Sequence, residues 1–106
     1  MNQTLGALEE VVLLLVLRER ESYGAELVKL YIEQMKKEIT LPAVVMVLKR
    51  LEKKKMLTSR TGEPSASRGG RRKVLYEATE LGYSTVEEAM KAKTQIWDMV
   101  PKLSRS

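Results

Sequence analysis

The chain has no cysteine and no histidine in its 106 residues. Without a thiolate or an imidazole there is no Cys/His zinc site, no disulfide, no thiol nucleophile and no Ser-His-Asp triad. Absence of disulfide chemistry fits a cytoplasmic setting. Long apolar runs are missing too. The run Val11-Val-Leu-Leu-Leu-Val-Leu17 is short against the ~20 residues needed to span a bilayer. It follows Glu9 and Glu10, with no Lys or Arg before Arg18, so it lacks the basic start of a signal peptide. It reads as a buried helix, and no membrane association is expected. No pair of acids and no nucleophile with its base stands out. Gly62-Glu-Pro and Gly69-Gly70 lack the Lys-Ser/Thr setting of a nucleotide loop. No enzyme, metal or cofactor is therefore expected.

What the chain does have is charge. Apolar residues make up 43% and charged residues 31%, the balance of a globular chain, and the length suits one domain with a modest core. Between Lys49 and Lys73 ten Lys or Arg stand against two acids, Glu52 and Glu63. That is a local +8 in a chain of net charge +5, so the rest is net −3. A field concentrated in this way attracts polyanions, and a basic helix followed by a basic hairpin suits duplex DNA.

The apolar periodicity predicts the elements that carry this field. A first helix runs from Leu5 to about Arg20, with Leu5, Leu8, Val12, Leu15 and Val16 at three- and four-residue steps. Val11, Leu13, Leu14 and Leu17 leave it almost no polar face, so it must be buried on more than one side. Ser22 is the expected cap of a second helix, Tyr23 to Lys37, with Leu27, Leu30, Tyr31 and Met35 inward. Gly24, costly in a helix, implies a close approach by a neighbouring helix or by a phosphate at the helix N-terminus. Thr40 caps a third helix, Leu41–Lys55, with Pro42 in the first turn, where its missing N–H costs little. Its Val44, Val47, Leu48 and Leu51 share one side; Pro42, Met46, Lys49 and Lys53 lie opposite, flanked by Ala43 and Arg50. Such a face is commonly just a solvated surface; its position ahead of a basic hairpin gives it meaning.

Met56–Thr61 and Val74–Ala78 read as paired strands. The Gly-, Ser- and Pro-rich segment Gly62–Arg72 between them reads as an exposed, mobile loop. Thr79 caps a last helix, Glu80 to Met99, whose stripe is Val86, Ala89, Met90, Ile96, Trp97 and Val100, and Pro101 ends it. The order is that of a winged helix-turn-helix, mainly α with one small β-hairpin. Residues 1–79 form the DNA-binding part and 80–106 a C-terminal helix of the same unit. Little chain remains to cover Trp97, which points to a symmetric dimer, or to folding back on the first helix.

Several motifs in this order resemble the PadR-like family of bacterial transcriptional regulators. They are Leu5-Gly6, Ser22-Tyr23-Gly24, Leu48-Lys-Arg-Leu-Glu52, Arg60-x-Gly62, Arg68-Gly-Gly-Arg-Arg-Lys73, Tyr76 and Thr79-x-x-Gly82. The ending Ile96-Trp-Asp-Met-Val-Pro101 looks like the short members, which stop after one C-terminal helix. The resemblance implies a homodimer joined through the first and last helices, with two recognition helices in successive major grooves. It also implies wings lying against the flanking backbone or minor groove. Family members usually carry a Tyr and Thr residues early in the recognition helix, where this chain has Val45, Met46 and Val47.

The expected function is a homodimeric DNA-binding regulator, a repressor by occlusion. Lys49, Arg50, Lys53, Arg68, Arg71, Arg72 and Lys73 are the expected basic contacts, with Gly69 and Gly70 letting the wing backbone approach. Pro42, Ala43 and Met46 are expected to face the groove. The dimer interface is expected from Leu5, Leu8, Val12, Val86, Met90, Ile96, Trp97 and Val100. A pocket at that interface lined by Trp97 or tyrosines could take a planar effector, and no motif establishes one. The rival reading is a winged-helix protein-interaction module with weak or non-specific DNA binding.

Overall fold

The computed structural model describes residues 4–64 and 72–103. The order is α1 (Ala7–Glu19), α2 (Gly24–Met35), α3 (Leu41–Lys53), β1 (Leu57–Pro64), β2 (Arg72–Ala78) and α4 (Glu80–Met99). This is the winged helix-turn-helix order expected. Three helices and the foot of the hairpin close over one core, in which Val12, Leu13, Val16, Leu27, Val44, Leu48, Leu51 and Met56 are fully buried. Each such side chain contributes about 1.5–3 kcal/mol on burial.

Local chemistry starts and stops the helices. α1 begins after Gly6, whose N–H donates to Glu9 Oε1 at 2.7 Å; Leu5 therefore lies ahead of the helix, half-buried against the core. Burial alone would raise the pKa of Glu9, but the Lys54 ammonium 2.8 Å away, the Gly6 N–H and the charge of Arg50 hold it below its ordinary value. Lys54 also donates to the Thr4 carbonyl at 3.1 Å, so one ammonium ties the end of α3 to the start of α1. A carboxyl with a depressed folded pKa adds stability above its unfolded value, near 4.5, and loses it as pH falls through the folded value. Thermal melts from pH 7 to 3 should therefore show Glu9→Gln less stable at neutral pH, with the gap to the parent closing below pH 4.5.

α2 starts one residue later than expected and ends two residues sooner. Ser22 does not cap it. Its backbone pairs with Tyr76 (Ser22 N–H to Tyr76 O, 3.0 Å; Tyr76 N–H to Ser22 O, 2.7 Å), and its hydroxyl donates to Glu26. That bridge makes Ser22 a one-residue third strand beside β2. At the other end Lys36 turns left-handed (φ 57°), so Met35 is exposed rather than inward. A Cβ on Gly24 would stand 3.0 Å from Leu41 Cδ1; the close approach here is made by α3.

α3 is capped by Thr40, whose hydroxyl accepts from the Ala43 N–H at 3.3 Å, with Pro42 in the first turn. It stops at Lys53 because Lys55 turns left-handed (φ 65°). The Met56 N–H then reaches Leu51 O and the Lys55 N–H reaches Glu52 O, both at 2.9 Å, the paired bonds of a Schellman end. The hairpin pairs Leu57 with Ala78 through Thr61 with Val74, then shifts register before Pro64 meets Arg72. Both strands thus run further than the sequence suggests. Gly62 belongs to β1, not to a loop, because it is buried where Leu75 Cδ1 comes within 3.0 Å of where its Cβ would be.

α4 has the predicted bounds. Thr79 caps it, accepting from the Gly82 N–H at 3.1 Å. Val86 is buried and Met90 half-buried against the core, and Lys93 pairs with Glu10 of α1. From Lys91 onward every described residue is exposed.

Candidate nucleic-acid interface

The amphipathic pattern of α3 sends Val44, Val47, Leu48 and Leu51 inward and leaves a convex outer face. Pro42, Met46 (56% exposed), Lys49, Arg50 and Lys53 stand on that face, with Ala43 half-buried at its edge. Lys49 also lines a groove of about 390 Å³ shared with the start of α2 and with β2; Leu41, Val45, Val74 and Tyr23 form its walls and Lys73 its far rim. The Lys73 ammonium lies 4.1 Å from the centre of the Tyr23 ring, a cation–π contact that holds the base of the hairpin beside α2. Tyr76, at the same groove, has its phenol pKa raised by burial and by the charge of Glu52, so it stays neutral.

The structure narrows the basic field. Lys54 is taken up by Glu9, and Arg60 makes two hydrogen bonds to Glu21, at 2.9 and 2.8 Å. Both count in the local charge of the sequence, yet each has a carboxylate partner here. Those partners lie 45 and 39 residues away, so no local signal discloses them. Lys49, Arg50, Lys53 and Lys73 are exposed. Arg72 opens β2, while Arg68, Gly69, Gly70 and Arg71 lie outside the described residues. Tyr23 is the groove residue that sequence reasoning missed; its place directly before Gly24, at the start of a helix, was the available signal.

The expected dimer residues divide. Val12 (0% exposed) and Val86 (2%) lie in the protomer's own core and cannot reach a partner. Their periodic positions serve intrachain packing between α1 and the first half of α4. Leu5, Leu8 and Met90 are half-buried, while Ile96 (63%), Trp97 (60%) and Val100 are exposed. Met99 and Leu103 are exposed beside them, and Lys102 lies 4.2 Å from the centre of the Trp97 ring.

The model of the transcriptional regulator PadR-like family matches residues 13–88, most of the chain. The chain belongs to the PadR-like family. Solved structures agree on the fold. A PadR-like transcription factor from Bacteroides fragilis superposes with a TM-score of 0.72 at 19% identity, over 86% of this chain and 84% of that one. A PadR family regulator from Eggerthella lenta gives 0.66 at 22%, over 83% and 75%. Bordetella bronchiseptica BpsR, whose DNA binding is regulated by 6-hydroxynicotinic acid, gives 0.67 at 28%, over 89% of this chain and 63% of its own. Among curated proteins none matches significantly. The family match ends at Glu88, so the exposed apolar end of α4 in this PadR-like chain lies beyond it. Among the described residues no helix is long and apolar enough to cross a membrane.

Proposed function

We propose that this PadR-like protein is a cytoplasmic, homodimeric DNA-binding repressor that occludes an inverted-repeat operator. Residues 1–79 bind the duplex, and the C-terminal helix within 80–106 joins the protomers together with the first helix. The observation that carries the reading is the outer face of α3, where Met46, Lys49, Arg50 and Lys53 project together beside the hairpin base. Lys49, Lys53, Lys73 and the wing cations Arg68, Arg71 and Arg72 bond phosphates, and Gly69 and Gly70 bring the wing backbone close. Two-fold symmetry and the groove pitch then set half-sites about 10 bp apart. The test is fluorescence anisotropy with duplexes across a salt series. Arg71→Ala and Arg72→Ala should weaken binding about equally on all sequences and lower the log–log salt slope by about 1 for each phosphate no longer neutralised. Weakening confined to one preferred sequence would assign base reading to the wing instead.

The first turns of α3 offer Pro42, Ala43 and Met46, none with a side-chain donor or acceptor. Their favourable base contact is the thymine methyl, which discriminates less than a bidentate pair worth about 1–3 kcal/mol. Selection from a random pool should therefore yield a site of modest specificity, A·T-rich or chosen by deformability. Lys49→Ala and Arg50→Ala should relax any fixed G·C pair. Several strongly fixed G·C pairs indifferent to both variants would refute this account of readout. The same apolar start favours the second reading, a winged domain serving protein contacts, and no salt-dependent duplex binding at all would select it.

A further inference from the structure

α4 does not merely follow the hairpin; it is seated on the end of α3. The Thr79 N–H donates to Met56 O at 3.0 Å, and the Thr79 hydroxyl donates to Lys55 O at 2.7 Å while accepting from the Gly82 N–H at 3.1 Å. One hydroxyl thus joins the first turn of α4 to the carbonyl of the left-handed residue that closes α3. Gly82 completes the seat, because the Met56 carbonyl oxygen lies only 2.3 Å from where a Cβ would be. The Met56 backbone therefore packs directly against Gly82. The second fastening is at mid-helix, where Val86 is buried and Lys93 pairs with Glu10. Beyond it, Ile96, Trp97 and Val100 are exposed. A twenty-residue helix is about 30 Å long, so a 10° change at its seat moves its far end by about 5 Å.

We propose that Thr79 is a positioning residue that sets the half-site spacing this protein accepts, by fixing the angle between the recognition helix and the dimerisation arm. This rests on the reading of α3 as recognition helix and the end of α4 as interface. Two protomers joined through their arms present two α3 helices at a separation and rotation that each Thr79 seat determines. Changing the spacer by two base pairs rotates one half-site by about 70° against the other. A stiff arm cannot follow that rotation, and the second protomer's contribution then disappears. A loosened arm can follow it.

The experiment has two arms. In the first, binding is measured on inverted repeats whose spacers differ by up to two base pairs from the preferred one. The parent protein should favour its preferred spacer by about tenfold or more, because avidity vanishes when geometry forbids both contacts. Thr79→Val keeps the backbone bond to Met56 but removes both hydroxyl bonds; it should bind the preferred repeat more weakly and bring the ratio between spacers to within about threefold. Thr79→Ser should restore the ratio. An equal loss on every spacer, with the ratio unchanged, would overturn the proposal and leave Thr79 a cap that only stabilises.

The second arm needs neither DNA nor a dimer. The chain has no cysteine, so Lys49→Cys with Asp98→Cys gives two clean spin-label sites, one on α3 and one near the end of α4. Diluted with unlabelled protein, the pair reports the distance inside one chain. The distribution should be narrow in the parent background, broad with Thr79→Val and narrow again with Thr79→Ser. Equal widths in all three refute the seat as the source of rigidity. A parent protein that is monomeric or shows no spacer preference instead overturns the dimeric reading, while the intrachain distances still decide whether Thr79 holds the arm.

Discussion

Gly82→Ala should be the most damaging single change outside the aliphatic core. The added methyl would sit 2.3 Å from the Met56 carbonyl oxygen and 3.1 Å from its carbonyl carbon. These are backbone atoms held from both sides, by the Schellman bond from the Met56 N–H to Leu51 and by the Thr79 N–H on the Met56 carbonyl. Relief requires α4 to lift, which breaks the Thr79 bonds and uncovers Val86. Overpacking of this kind costs about 1–3 kcal/mol and at times more, and loss of the cap adds about 1 kcal/mol. At about 4–8 °C per kcal/mol for a domain of this size, the midpoint should fall by more than 10 °C. Gly6→Ala is the control: its methyl would meet only the Glu9 carboxylate at 3.4 Å, the end of a flexible side chain. Parent-like melting of Gly82→Ala would show that the contact relaxes freely and that α4 is not seated as described.

The second large effect concerns association. Ile96 and Trp97 are more than half exposed in the protomer, and Met99, Val100 and Leu103 lie exposed around them. If these residues form the dimer interface, truncating a central Trp removes about 2–4 kcal/mol. Trp97→Ala with Ile96→Ala should therefore raise the dimer dissociation constant by at least about a hundredfold. The protomer's thermal midpoint at high dilution should not change, because neither side chain packs into its core. Sedimentation velocity at micromolar concentration measures the shift. A parent chain that already sediments as a monomer there ends the dimeric reading, and unchanged association of the double variant moves the interface elsewhere. Effects on operator binding should track the weakened association.

The sequence discloses what short-range chemistry controls. α4 is predicted from Glu80 to Met99 because a Thr cap precedes it and Pro101 comes after it. The inward and outward faces of α3 follow from aliphatic spacing alone. What the sequence hides is chemistry between distant residues. Lys54 and Arg60 read as free members of a basic field, although Glu9 and Glu21 hold them. Ser22 reads as a helix cap because its partner, Tyr76, belongs to a strand far along the chain. Val12 and Val86 read as interface because periodicity shows that a residue is buried without showing by what. Gly62 and Pro64 read as loop because turn-favouring residues also serve where a strand shifts register.

The register shift in β1 falls on an edge strand of the sheet. β2 is bridged on its other side at Tyr76, by Ser22, whereas among the described residues the outer side of β1 has no strand beside it. An open edge invites a neighbour's strand and, beyond that, uncontrolled aggregation. Here the register shifts between Thr61 and Pro64, and the proline has no N–H to offer. Thr58, Ser59, Arg60 and Thr61 form an exposed polar row along the strand, with one charge among them. The register shift and the proline discourage strand-to-strand pairing between copies at the far end of β1. A polar edge of this kind guards solubility in a small protein that carries an exposed apolar helix end.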